Sequence, residues 1–171
     1  ILTLIISMIK YLVLSSGAYD FFKELSVIYY LLEKKYLYLN NLQKVYGVSS
    51  GSLVGLLVCL NIDYKIIYEY FIERPWHKVF KVDTETVFAA YLNSGIFKYD
   101  HCKETFKPLF KKAGIKLDIT FKELFDLCGK EFIIYATNCE TFEKQTFSYL
   151  KTPNAKVLEA VYMSSSLPII F

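Results

Sequence analysis

Arginine is nearly missing from this 171-residue chain: Arg74 is the one guanidinium among 20 basic residues, and the net charge is +3. No arginine-rich stretch or RNA-reading aromatic motif accompanies the lysine doublets Lys34-Lys35 and Lys111-Lys112, so a nucleic-acid partner is excluded. The doublets suit solvated helix faces, and the bias toward lysine reads as the coding habit of an AT-rich genome. Cysteine is sparse too. Cys59, Cys102, Cys128 and Cys139 form no CxxC and no Cys/His cluster, which leaves neither a zinc site nor a disulfide framework and fits reduced thiols in a cytosolic protein. The two histidines are His77, after Pro75-Trp76, and His101, at the start of a helical stretch. Neither lies at an expected strand end, so packing or surface roles are expected of both rather than general-base catalysis. The glycines form no GxGxxG, and only Gly17 follows the first strand, which argues against nucleotide binding. A long hydrophobic run is also lacking. Ile1 to Ile9 is apolar but Lys10 interrupts it before Tyr11 to Leu14, too short for a membrane span and without the basic start of a signal peptide. A cytoplasmic protein, at most peripheral to membranes, is expected.

What is abundant is apolar surface. A hydrophobic fraction of 54%, with 18% aromatic residues, excludes disorder and supplies one domain with a core. Met8 resembles a natural start running into a strand, so the expected boundaries are a single domain over 8–171 and an extension over 1–7. Ile9 to Ser15 reads as a buried parallel strand, followed by the small-residue loop Ser15-Ser16-Gly17-Ala18. Phe21 to Lys35 reads as a helix with Leu25, Ile28, Tyr29 and Leu32 on one face, and Lys44 to Tyr46 as the next strand. Further helices are expected over Asp63 to Phe71, Thr84 to Leu92, His101 to Ala113 and Ala155 to Met163. A capping box at Thr120 to Glu123 should open another helix, ending at Gly129. Glu131 to Thr137 and Lys144 to Ser148 read as paired strands about the Asn138 to Glu143 turn. Strands alternating with helices imply an α/β fold with a mostly parallel sheet.

Within this order the chemistry-bearing stretch is Gly47-Val48-Ser49-Ser50-Gly51. It puts a serine between two glycines where a β-prone segment turns into the helical spacing of Leu53, Val54, Leu56, Leu57 and Leu60, the context of a nucleophile elbow. So tight a reversal should force Ser49 to positive φ and leave no room for side chains at 47 and 51. A helix starting near Ser50 would aim unpaired amides and the positive end of its dipole at the Ser49 oxygen.

The first strand with its small-residue loop, the GxSxG elbow, Tyr135-Ala136-Thr137-Asn138 and Ser164-Ser165-Ser166-Leu167-Pro168 occur in the order of the patatin-like phospholipase family, which the chain resembles over residues 9 to 171. The resemblance implies a three-layer α/β/α sandwich and a lipid acyl hydrolase, a phospholipase A-type serine esterase, with no metal or cofactor. Ser49 would be the nucleophile, flanked by Gly47, Val48, Ser50 and Gly51. Amides of Ser16, Gly17 and Ala18 would form the oxyanion hole. The partner implied is a lipid substrate, met at a membrane surface. Phe21, Phe22, Tyr29 and Tyr30 are candidates for an acyl groove or a membrane face, against the plainer expectation that they are core. The chain departs from the family in two places. Its loop keeps Gly17 alone of the usual glycines, with Asp20 and Phe21 following, and no Asp-Gly dipeptide is present to supply the family's catalytic aspartate. That aspartate is therefore expected outside this chain, with the domain incomplete at its C-terminus. The alternative is a catalytically inactive lipid-binding or interaction module.

Overall fold

Side-chain alternation builds the first strand, β1 (Tyr11–Leu14): Leu12 and Leu14 turn inward while Tyr11 and Val13 stay 55% and 74% exposed. The computed structural model describes residues 9–17, 20–79 and 98–166. Helix α1 (Asp20–Glu33) buries Phe21, Leu25 and Ile28, with Tyr29 and Leu32 packed at the margin. A 3-10 turn over Leu39–Asn41 leads to β2 (Lys44–Val48), which runs directly into α2 (Ser50–Cys59). Then come α3 (Tyr64–Glu73), the short α4 (Trp76–Val79), α5 (Tyr99–Ala113) and α6 (Phe121–Cys128). Strands β3 (Glu131–Thr137) and β4 (Lys144–Phe147) and helix α7 (Val157–Ser165) complete the order. The helix expected over Thr84 to Leu92 lies outside the described residues.

The sheet has the order β1-β2-β3-β4. β2 pairs parallel with β1, Leu14 opposite Gly47, and parallel with β3, Val48 opposite Tyr135; β4 pairs antiparallel with β3. This is the α/β sandwich class expected, with one correction to the sequence reading. The apolar run at β1 is not a fully buried strand: it is an edge strand among those described, and Tyr11 and Val13 on one of its faces are exposed. Because β1, β2 and β3 are parallel, the segments leaving Leu14 and Val48 emerge at one edge of the sheet. That shared edge is what brings the small-residue loop and the elbow together.

Helix α2 lies at the centre. Nine of its ten residues are buried, the signature of a helix apolar all round and enclosed on every side. Each fully buried Leu, Val or Phe side chain here contributes about 1.5–3 kcal/mol. Gly55 is a point of close approach to side chains: a Cβ there would meet Phe132 Cε2 at 2.7 Å and Val45 Cγ1 at 3.2 Å.

Local signals behave as expected elsewhere. Thr120 and Glu123 form the reciprocal capping box of α6, and Gly129 ends that helix at φ 67°. Asn138 holds the β3–β4 turn, its Oδ1 accepting from the Glu140 and Thr141 amides at 2.8 and 3.2 Å. The solitary Arg74 has a structural use that composition concealed. Its guanidinium lies 5.0 Å from both the Tyr70 and Trp76 ring centroids and reaches the Thr105 carbonyl at 3.5 Å, a stacking task a lysine performs less well. Among the described residues no helix is long and apolar enough to cross a membrane.

Candidate active site

The backbone between β2 and α2 reverses at Ser49, with φ 53° and ψ −125°, a conformation that an L-residue adopts only when its surroundings impose it. The glycines on either side explain how. A Cβ on Gly47 would lie 2.7 Å from the Gly51 carbonyl oxygen and from Ser52 Cα, while one on Gly51 would lie 2.5 Å from the Leu14 carbonyl oxygen and 2.7 Å from that of Ser15. Gly47 thus admits the following helix, and Gly51 admits the end of β1. Neither has positive φ, so close approach, not backbone freedom, requires glycine at both.

Three serines fasten the elbow. The Ser49 amide donates to Ser164 Oγ at 2.9 Å, and the Ser164 hydroxyl donates to the Tyr135 carbonyl at 2.6 Å, tying elbow, β3 and the end of α7 together. The Ser52 hydroxyl donates to the Ser49 carbonyl at 2.6 Å. The Gly17 amide donates to Ser50 Oγ at 3.0 Å. This last bond places the β1–α1 loop against the elbow, as expected, but it also engages the Gly17 N–H with a side chain of the elbow itself. Ser49 is half-buried, Ser50 buried and Ser16 exposed; Val48 ends β2 as a half-buried residue. Ala18 lies outside the described residues.

The loop has its own supports. Asp20 opens α1 with its amide on the Gly17 carbonyl at 2.8 Å, and its carboxylate pairs with Lys23 at 2.6 Å. A Cβ on Gly17 would meet Asp20 Cβ and Oδ2 at 2.7 Å, so glycine is required where the loop folds onto the helix. Glu24 Oε1 accepts from the Ser15 amide at 3.1 Å and from its hydroxyl at 3.4 Å. Burial raises the Glu24 carboxyl above its ordinary range, and its Oε2 is a buried oxygen with no partner among the described residues.

Sequence reasoning located the elbow and its loop but missed Ser164, Ser50 Oγ and Glu24 as the groups that fasten them. The triple serine at 164–166 was the signal for Ser164, since a hydroxyl there is both donor and acceptor. Nothing local marks Glu24. His101 caps α5, its Nδ1 accepting from the Lys98 amide at 3.1 Å, and His77 is exposed on α4. No cluster of His, Cys, Asp or Glu able to hold a metal ion occurs among the described residues. Of the four aromatics weighed for lipid contact, Phe21 is buried against Phe71 and Tyr29 stacks on Tyr68, while Phe22 and Tyr30 are 41% and 55% exposed.

A serine at a positive-φ reversal, at the carboxyl edge of a mostly parallel sheet packed with helices, defines an α/β sandwich of the elbow-bearing class. Within that class the chain belongs to the patatin-like phospholipase family, whose profile matches residues 12–171. Among curated relatives it is 28% identical over 170 residues to "Probable lipid hydrolase 463L" of Invertebrate iridescent virus 6, covering 95% of this chain and 54% of the relative. It is 26% identical over 165 residues to "Uncharacterized protein R571" of Acanthamoeba polyphaga mimivirus, covering 96% and 54%. The chain thus spans about half the length of these relatives. Among solved structures, VipD from Legionella pneumophila superposes with a TM-score of 0.63 at 18% identity, covering 95% of this chain and 43% of that one. The type III effector ExoU gives 0.60 at 17%, covering 92% and 40%. At such identities these two support the fold.

Proposed function

We propose that this chain is the nucleophile-bearing portion of a lipid acyl hydrolase, in which Ser49 attacks the carbonyl carbon of a fatty-acyl ester. The single observation that carries the reading is the strained Ser49 backbone at the head of a buried helix, with the Gly17 loop fastened beside it. The helix start favours negative charge at the serine. Amides of Ser16, Gly17 and Ala18 are the proposed oxyanion donors, each worth about 3 kcal/mol in the transition state. For the Gly17 amide to serve, the Ser50 hydroxyl must rotate away as the oxyanion forms. A serine at its ordinary pKa needs a base, and the family pattern assigns that role to an aspartate outside this chain. Proton transfer to that carboxylate, collapse of the tetrahedral adduct onto Ser49 with loss of the alcohol, and attack by water would complete the cycle. Exposed Phe22 and Tyr30 on α1 are apolar contacts offered to lipid.

The test is Ser49→Ala in the protein expressed from its complete gene, assayed with phospholipid and neutral acylglycerol substrates and with a fluorophosphonate probe. Turnover and labelling should both vanish while the thermal transition stays in place; retained turnover would falsify the assignment. A second reading, a lipid-binding module without turnover, is favoured by one specific observation, the engagement of the Gly17 amide by Ser50. Vesicle binding by a protein whose Ser49 never reacts with fluorophosphonate would select it.

A further inference from the structure

The amino-terminal edge of the parallel strands carries a cavity of about 390 Å³ that the proposed hydrolysis does not use. Its walls come from the last turns of α1, the 3-10 turn before β2, the end of α2, the start of α3 and Lys130, the residue that precedes β3. Val58, its contact on α2, lies roughly 14 Å along that helix from Ser49 by helical rise. The cavity is therefore separate from the elbow, and its volume suits a small molecule. Charge is graded across it. Lys130 is 6% exposed and shares the buried side with Val58 and Tyr64, whereas Glu33, Asp63 and Lys65 line the cavity as exposed residues. Lys130 Nζ donates to the Cys128 carbonyl at 3.3 Å, which uses one of the three N–H groups an ammonium offers. Among the described residues no carboxylate forms an ion pair with it. At the mouth the excess is of the other sign. Lys65 pairs with Glu69 at 3.8 Å. Asp63 accepts from the Lys65 amide through Oδ1 at 3.0 Å, and neither Asp63 nor Glu33 has an ion-pair partner among the described residues.

We propose that this cavity binds a small soluble zwitterion, its carboxylate or phosphate directed to Lys130 and its ammonium facing Glu33 and Asp63. An ammonium withdrawn from water without a counter-charge is costly, and a bound anion offsets that cost. A simple anion fits less well, because it would have to pass two carboxylates with nothing to answer them. A simple cation leaves Lys130 as it was. Joined by a short chain, the two charges meet both ends of the cavity at once, and complementarity of this kind fixes orientation as well as affinity. The order of the charges, cation inside and carboxylates outside, also selects the source of the ligand. A zwitterionic headgroup still attached to its lipid carries its ammonium at the free end and would enter with the wrong charge leading. The ligand class is thus a free compound with an anionic group at one end and an ammonium a few bonds away, as in a short ω-amino acid or phosphoethanolamine. Because such a ligand touches α1, α2 and α3 together, its binding should stabilise the folded chain.

The experiment titrates the full-length protein with phosphoethanolamine, γ-aminobutyrate, inorganic phosphate and ethanolamine, followed by calorimetry and by the thermal midpoint. At least one of the two zwitterions should bind saturably and raise the midpoint, with phosphate and ethanolamine weaker by about ten-fold or more. Lys130→Met keeps the side-chain volume and removes the buried charge, so it should fold and lose the response. Glu33→Gln combined with Asp63→Asn changes only exposed positions and keeps an acceptor at the α3 cap. That variant should weaken zwitterion binding by about ten-fold and leave the response to inorganic phosphate unchanged, and it decides the matter should Lys130→Met not fold. Flotation with phosphatidylethanolamine vesicles, against phosphatidylglycerol vesicles, examines the lipid-borne source. The proposal is overturned if neither zwitterion binds, if phosphate alone binds as tightly, if the mouth variant binds both zwitterions as the parent does, or if phosphatidylethanolamine vesicles recruit the protein through Lys130. Ester turnover has no part in the readout, so the outcome is independent of the hydrolase reading.

Discussion

At its start α2 meets hydroxyls and bare backbone; further along it meets phenyl and methyl groups, and the two parts hold one helix by different forces. The start is fixed by polar bonds, from the Ser49 amide to Ser164 and from the Gly17 amide to Ser50, and by two glycines that admit neighbouring backbone. The end is fixed by Phe132 against Gly55 and by the burial of Val58, Cys59 and Leu60. Directional contacts suit a place where geometry must be exact to fractions of an ångström, and non-directional burial suits an anchor. The strain at Ser49 persists because the far end of the helix cannot move to relieve it.

Perturbing each end should therefore separate stability from activity. The largest stability effect is expected from Phe132→Ala, which empties the space between α2, β2 and α6. A loss of about 3–5 kcal/mol, measured by urea denaturation, should leave turnover per folded molecule within a few-fold of the parent. A selective loss of turnover with little change in stability would sink the anchor assignment. Gly51→Ala comes next. Its methyl meets the Leu14 carbonyl oxygen at 2.5 Å, an overpacking that costs about 1–3 kcal/mol. Since relief requires parting β1 from the elbow, fluorophosphonate labelling at Ser49 should fall far more than stability does. Ser164→Ala is smaller still. Loss of the acceptor for the Ser49 amide and the donor to Tyr135 should cost about 1 kcal/mol. Amide exchange should quicken at Ser49 and remain unchanged at Val58, and uniform quickening would show that the serine bridge is not local to the elbow.

The same contrast explains what the sequence disclosed. Polar, turn-bound features are written in short windows: the GxSxG spacing, the capping box from Thr120 to Glu123 and the stop at Gly129 all appear where their residue types dictated. These depend on neighbours within a few positions, so periodicity and turn chemistry suffice to find them. The packing of α2 on β3 could not be found that way: Gly55 and Phe132 lie far apart in the chain and meet only in the fold. The exposure of β1 was not legible for a related reason: Val13 and Leu12 are both apolar, and only the packing of other elements on the sheet decides which face is covered. The loop after β1 lies between these cases. Gly17 was legible as a small residue after a strand, but its bond to Ser50 depends on register across β1 and β2.

The smallest effect expected comes from Glu24, which touches the elbow's side of the comparison through Ser15 and carries a buried, unpartnered oxygen. Burial raises its carboxyl above the usual 4.5, the Ser15 bonds partly oppose that rise, and the negative charge of Asp20 adds to it. A carboxyl whose value is higher in the folded chain binds its proton more tightly there. Its contribution to stability is therefore complete below about 4.5, the unfolded value, and is lost as pH rises through the folded value. Glu24→Gln keeps an acceptor for the Ser15 amide and removes the titration. The variant should match the parent in acid and exceed it slightly in stability at neutral pH, with the gap opening between the two values as denaturation midpoints are followed with pH. A gap of the opposite sign at neutral pH would mean that the charged carboxylate holds Ser15 more firmly than its burial disfavours it, and Glu24 would then belong with the bonds that tighten the loop rather than with the groups that strain it.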